Sequence, residues 1–459
     1  MSHNAWLLLD TALAVAALVL LVAWLKLNSF VALTVVSLAA GLAAGMEPSK
    51  AAGSFADGVG GVLGKIAVVI GLGAILGKML AESGGADQIA TALIRGFGGR
   101  RMALAFVAAG FLIGLPVFFQ VGLVLLIPIA EVSAEKMGVA LSRFGLPLVA
   151  GLSASHALIP PHPGPLAAVA ALHADIGKTI LFGLLVGAPT AILAWLVFGR
   201  AGGDMAKNDK PSLIANRIAP PHGAPSVWTA LFIVLLPVGL MILGSGAQVV
   251  LADRSESAHW LIFVDNPWLT ALRRWMIFAG DPVVAMLTAV LLALYSLGFA
   301  RGFNRRQILQ FCEASLLDVG SVLLIVGAGG GFSRVLIDSG VSRAVEAAVS
   351  SLSLSPLVLG WLMAAVVRVA TGSSTVSIIT AAGLAAPLVK ANPGLSPELL
   401  VLALGAGSLV LSHVNDGGFW LVQRYVRLTV RQTLRTWTLM TTLISLSALG
   451  LIMLLAVTC

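Results

Sequence analysis

Charge is what this chain has least of. Only 10% of its 459 residues are charged, against about 25% in a soluble domain. With 58% hydrophobic residues and a mean hydropathy of +1.00, that shortage excludes a soluble fold, which could not bury so much apolar surface. Cysteine is nearly absent: Cys312 and Cys459 are the two in the chain, so neither a disulfide framework nor a metal site is indicated, and no cofactor is expected. No basic segment precedes the first apolar run, Ala5 to Leu25, and no cleavage signal follows it. It reads as a retained first helix. The net charge of +8 could suggest nucleic acid, but the cations are scattered among short loops, as the positive-inside bias requires of a membrane protein.

What is present are apolar stretches of about 20 residues, the length that crosses a bilayer core as a helix. Glycine is abundant, at 50 residues, as close helix packing in a membrane bundle favours. The sequence also repeats. At an offset of 256, Ile70 to Gly85 lies over Val326 to Val341, setting Gly71 on Gly327, Gly73 on Gly329, Lys78 on Arg334 and Glu82 on Asp338. Ser155-His156 lies over Ser412-His413 at 257. Cation on cation and acid on acid within apolar sequence predicts a duplication.

The expected fold is all-α and polytopic, with an N-terminal repeat over 1–200, a hydrophilic linker over 201–226 and a C-terminal repeat over 227–459. Each repeat reads as about five membrane helices, one of them broken, plus a re-entrant hairpin. The hairpins fall at 101–133 and 356–391, the broken helices at 140–174 and 397–425. An odd number of crossings per repeat would invert one against the other, the plan of secondary carriers. On that topology 17 cations lie on the side of the linker and seven on the opposite side. This predicts a bacterial inner-membrane protein with a cytoplasmic linker and periplasmic termini. The segment 251–280 reads as an outer loop whose Trp260, Trp268 and Trp275 form an interfacial belt. Lys78–Glu82 and Arg334–Asp338, each spaced i to i+4, read as self-neutralising structural pairs.

Candidate chemistry lies where helices break, because freed backbone groups there need partners that a solute can supply. Four breaks are expected: GLPVFFQVG (114–122), SHALIPPHPGP (155–165), TGSSTVS (371–377) and SHVNDGG (412–418). The third gathers Thr371, Ser373, Ser374, Thr375 and Ser377 around Gly372, three residues after Arg368. Helix-start amides, hydroxyls and a guanidinium suit a carboxylate with polyol hydroxyls. His156 and His162 occupy the second break. Asn415 and Asp416 occupy the fourth, where an ionisable group is expensive and function is the default reading.

These four segments, in order along the chain, resemble the gluconate:proton symporter (GntP) family of the ion transporter superfamily. The resemblance rests on GLPVFFQVGLVLLIP, SHALIPPHPGPLA with ADIGKTI, ATGSSTVSIITAAGL and SHVNDGGFW. It implies an elevator-type carrier with two hairpins and two broken helices around a central site, sugar-acid or related hydroxycarboxylate anions as substrates, proton coupling, and a homodimer in the lipid bilayer. Members compared with it often carry an acid in the first hairpin, in FFEVG or FFDVG, where this chain has Gln120. Glutamine cannot titrate and resembles a protonated glutamate. Three alternatives stay open: an amide replacement that holds one conformation, an exchanger or uniporter of another small carboxylate such as glycerate or D-serine, or a coupling proton carried elsewhere, with Asp416 and His156 the leading substitutes. A channel is a further reading, as is an intramembrane hydrolase built on Ser155 beside His156. The latter is disfavoured because chain neighbours rarely meet in working geometry.

Overall fold

The structure is a computed structural model, and it describes residues 3–98, 101–198, 222–250, 267–340, 354–414 and 416–458. Every regular element among them is helical. In order these are α1 (His3–Val19), ending in a π-turn at Leu20–Trp24, α2 (Ser29–Ala43), α3 (Pro48–Glu82), α4 (Gly85–Phe97), α5 (Met102–Ile113), α6 (Phe119–Met137), α7 (Ser142–Leu158), α8 (Pro163–Leu172) and α9 (Ile176–Phe198). The second half holds α10 (Val227–Val250), α11 (Pro267–Gly280), α12 (Pro282–Ala293), α13 (Arg305–Asp338), α14 (Pro356–Thr371), α15 (Ser374–Ala391), α16 (Pro397–Gly407), α17 (Gly417–Tyr425), α18 (Val430–Thr433) and α19 (Leu439–Thr458), the last two joined by a π-turn at Leu434–Thr438. Seven helical stretches among the described residues are long and apolar enough to cross a membrane. The molecule is a multi-pass membrane protein.

The four expected breaks occur. Gly114 to Phe118 separates α5 from α6, and Ile159 to His162 separates α7 from α8, where Pro160, Pro161 and Pro163 withhold amide donors. Gly372, at φ 70°, and Ser373 separate α14 from α15. The chain from Ser408 to Asp416 separates α16 from α17, with Asn415 outside the described residues. The α7–α8 stretch is enclosed by protein: 94% of its most apolar window is buried, against 28–39% for the other six long stretches. Glycine permits this enclosure, since Gly151 of α7 lies directly against the Val107 carbonyl of α5, where a Cβ has no room.

Two elements depart from the apolar windows read in the sequence. Helices α3 and α13 are 35 and 34 residues long and extend well before their hydrophobic halves. Their starts carry legible signals: Glu47 caps Ser49 and Lys50 ahead of Pro48, and Asn304 forms a capping box with Gln307. The two helices cross where Gly58 meets the Gly330 carbonyl. Part of the expected outer loop is helical as well. Pro267 starts α11, which packs on α10 where Gly280 meets Gly244. Trp268 and Trp275 are exposed on it, as an interfacial belt requires, and Trp260 lies outside the described residues. The linker is likewise outside them up to residue 221. Both i to i+4 pairs form, Lys78 Nζ to Glu82 Oε1 at 3.0 Å and Arg334 Nε to Asp338 Oδ2 at 2.9 Å.

Candidate functional site: a cavity at three helix starts

Three of the breaks open on one cavity of about 270 Å³. From the start of α6 come Phe119 and Gln120, from α14–α15 come Arg368, Gly372, Ser373, Ser374 and Thr375, and from the start of α17 come Asp416, Gly417 and Gly418. Ser153 and His156 of α7, Leu409, Trp437 and Thr441 complete the wall. Each helix begins at the cavity, so its first-turn amides have no intrahelical acceptor and its dipole presents about half a positive charge. Ser373 accepts from Val376 N at 3.3 Å and Asp416 accepts from Gly418 N at 2.7 Å. The start of α6, at Phe118, has no side-chain cap. Its first-turn amides are left without a side-chain acceptor.

Arg368 is buried, at 4% exposure, and its charge is spent locally. Its Nη1 donates to the Gly372 carbonyl at 2.7 Å, bracing the turn, and its Nη2 pairs with Asp416. Asp416 also accepts from Ser412 Oγ, which in turn accepts from Trp437 Nε1 at 2.7 Å. The Arg368–Asp416 pair is close to neutral, so the positive potential left at the cavity is that of the converging helix starts.

The remaining sequence candidates divide by helical phase. Ser374 Oγ lies 2.6 Å from Ser408 Oγ and, with Ser373 and Thr375, faces the cavity. Thr371 instead donates to Val367 O at 2.8 Å, and the fully buried Ser377 donates to Ala364 O at 2.6 Å. Neither lines the cavity. His156 is half-buried at the wall, with Nδ1 buried and without a partner among the described residues. His162 stands behind it, its ring 4.7 Å away in edge contact and its Nε2 2.5 Å from the Gly114 carbonyl. It ties the α5–α6 break to the α7–α8 break. Trp437, Thr441 and Ser153 carry no signal in the sequence, since each lies inside a long apolar span, and only the fold brings them to the cavity. Gln120 is exposed to the cavity. Among the described residues no group of three or more His, Cys, Asp or Glu is placed to hold a metal ion.

A polar cavity enclosed by interrupted helices in a multi-pass bundle defines a permease, a membrane carrier of small solutes. The comparisons with known proteins agree on the class and narrow it. The sequence matches the model of the GntP family permeases over residues 6–458, and the chain belongs to that family. It is 45% identical to a gluconate permease of Pseudomonas aeruginosa, covering 99% of both chains. It is 41% identical to the high-affinity gluconate transporter of Escherichia coli, covering 96% of this chain and 97% of that one. Its fold is shared with the YdaH transporter of Alcanivorax borkumensis at a TM-score of 0.64 and 17% identity, covering 92% of this chain and 96% of that one.

Proposed function

We propose that the chain carries gluconate, or a closely related sugar-acid anion, through the cavity at the starts of α6, α15 and α17. The observation that carries this reading is the convergence of three helix starts beside a neutralised Arg368–Asp416 pair. Such a site favours a single carboxylate without demanding a net cation from side chains. Ser373, Ser374, Thr375 and the carboxamide of Gln120 suit sugar hydroxyls, and the half-buried imidazole of His156 completes the wall beside them. Thr371, Ser377 and His162 act one layer out, holding the backbone that carries these groups. The names of the relatives support the same substrate class. In proteoliposomes, the purified protein is expected to give saturable uptake and counterflow of labelled gluconate. Absence of both across a panel of aldonates would sink the assignment.

In this reading the two halves are inverted repeats. The two helical hairpins, α5–α6 and α14–α15, move with the two broken helices against the α3–α13 crossing. The small residues Ala167, Ala170 and Ala171 of α8 opposite Gly58 and Gly61 of α3 suit such sliding. The charge bias of the loops favours a cytoplasmic linker and periplasmic termini, and the assembly is a homodimer.

A second reading, uncoupled exchange or uniport, is favoured by the amide at 120. Gln120→Glu is expected to convert exchange into accumulation driven by an inward proton gradient, measured as uptake with and without a pH step. Equal pH dependence of the two forms would mean that the proton is bound elsewhere, with His156 and Asp416 next to be tested.

A further inference from the structure

A second cleft, of about 220 Å³, lies between the α3–α13 crossing and the α8–α15 pair. It is separate from the cavity described above, sharing none of its lining residues. The two do share helices: α8 and α15 begin at or beside the central cavity and carry Ala167 to Ala171 and Ile379 to Gly383 to the cleft. At 1.5 Å per residue these positions are roughly 10 Å along each helix from its start.

The cleft contains Lys65, the eighteenth residue of the 35-residue α3 and therefore its midpoint. Lys65 is exposed to the cleft and has no hydrogen-bond or ion-pair partner among the described residues. At about 52 Å, α3 is longer than a bilayer core, and its hydrophobic half begins beside Lys65, so the exposed ammonium stands toward the edge of that core, where water reaches it and it remains available to a ligand. The neighbouring cation, Arg334, is already committed to Asp338, which also accepts from Ser54 Oγ at 2.8 Å. Asp57 sits two turns before Lys65 on the same face, about 12 Å away, too far to neutralise it. His173 and Ser333 add polar atoms between these ends.

The repeat sharpens the point. Gly329, Gly330, Ser333 and Arg334 in this cleft correspond, at the offset of 256, to Gly73, Ala74, Gly77 and Lys78, which line a counterpart cleft of about 30 Å³. In the counterpart the cation, Lys78, is neutralised by Glu82, and the position equivalent to Lys65 is Ser321. Lys65 is thus not inherited from the repeat. It adds a free positive charge to the open cleft alone.

We propose that this cleft is a second binding station for a hydroxycarboxylate anion on its route to or from the central cavity. Lys65 takes the carboxylate, and Asp57 and Ser333 accept hydrogen bonds from hydroxyls at the other end. The identity of the anion rests on the reading given under Proposed function.

The test uses the full-length protein in proteoliposomes. Lys65→Ala raises the gluconate half-saturation constant about tenfold, the loss of one charge-assisted hydrogen bond, with maximal exchange largely kept. Lys65→Arg restores it. In a Cys312→Ser, Cys459→Ser background, Lys65→Cys recovers affinity after modification by a cationic methanethiosulfonate but not by an anionic one of similar size, and gluconate slows both reactions. An unchanged constant in Lys65→Ala, equal recovery with either reagent, or no protection by any aldonate overturns the station. Failure of the wild-type protein to transport gluconate is a separate result that bears on the substrate. Protection of Lys65→Cys by another carboxylate would then still establish the cleft as an anion station.

Discussion

Replacing Arg368 with alanine is expected to abolish gluconate exchange, by at least about 100-fold at subsaturating substrate. The side chain is 4% exposed and makes two connections that no other residue can supply. One braces Gly372, whose left-handed turn aims the start of α15 at the cavity. The other neutralises Asp416, whose carboxylate caps the start of α17. Without the guanidinium, a carboxylate that is 8% exposed remains unneutralised among the helix starts where the proposed anion would bind. Breaking one side of such a buried pair costs about 3–5 kcal/mol. The double change Arg368→Ala, Asp416→Ala should therefore recover much of the thermal stability lost in the single variant while leaving exchange absent. Lysine at 368 keeps the charge but not the two-pronged geometry and should give intermediate exchange. Exchange near the wild-type level in the alanine variant would remove the pair from the site.

The second large effect lies far from the cavity. Glu131, twelve residues into α6, pairs with Arg427 in the turn after α17, and the two side chains are 7% and 14% exposed. The pair joins a helix of the first half to the chain of the second half. Glu131→Gln removes the counter-charge of a buried guanidinium and is expected to cost about 3 kcal/mol, seen as a lower midpoint in a detergent thermal melt. Glu131→Leu with Arg427→Met should return the midpoint toward wild type, since apolar packing substitutes for a buried pair at little net cost. A midpoint unmoved in the single variant would mean that water reaches the pair.

The four breaks were legible because proline, glycine and helix-capping residues punctuate a chain that is otherwise uniformly apolar. Pro160, Pro161 and Pro163 cannot continue α7, and Gly372 takes a backbone angle that other residues avoid. Pairing across those breaks was not legible. Arg368 and Asp416 are 48 residues apart on different helices, and a single contact of that kind leaves no period in the sequence. The sequence pattern alone makes Arg368 a counter-charge for a ligand, whereas in the structure its first partner is Asp416. The hydroxyl run from Thr371 to Ser377 misled in a related way. Residues at 373–375 face the cavity, whereas Thr371 bonds back one turn and Ser377 faces α14, a division set by helical phase that composition does not carry. Helix α11 was missed because Arg273, Arg274 and its tryptophans made an amphipathic surface helix look like a polar loop.

The enclosure of α7–α8 has a consequence for how such permeases diversify. A helix facing lipid accepts almost any apolar exchange, so it drifts freely and tells little about selection. In α7–α8 the side chains other than those that border the two cavities have protein neighbours on nearly every side, and Gly151 admits no larger residue at all. Laboratory selection for a new substrate should therefore find its gains at Gln120 and Ser373 to Thr375, where the wall borders open space. In the central helices, accepted changes should come as compensated pairs.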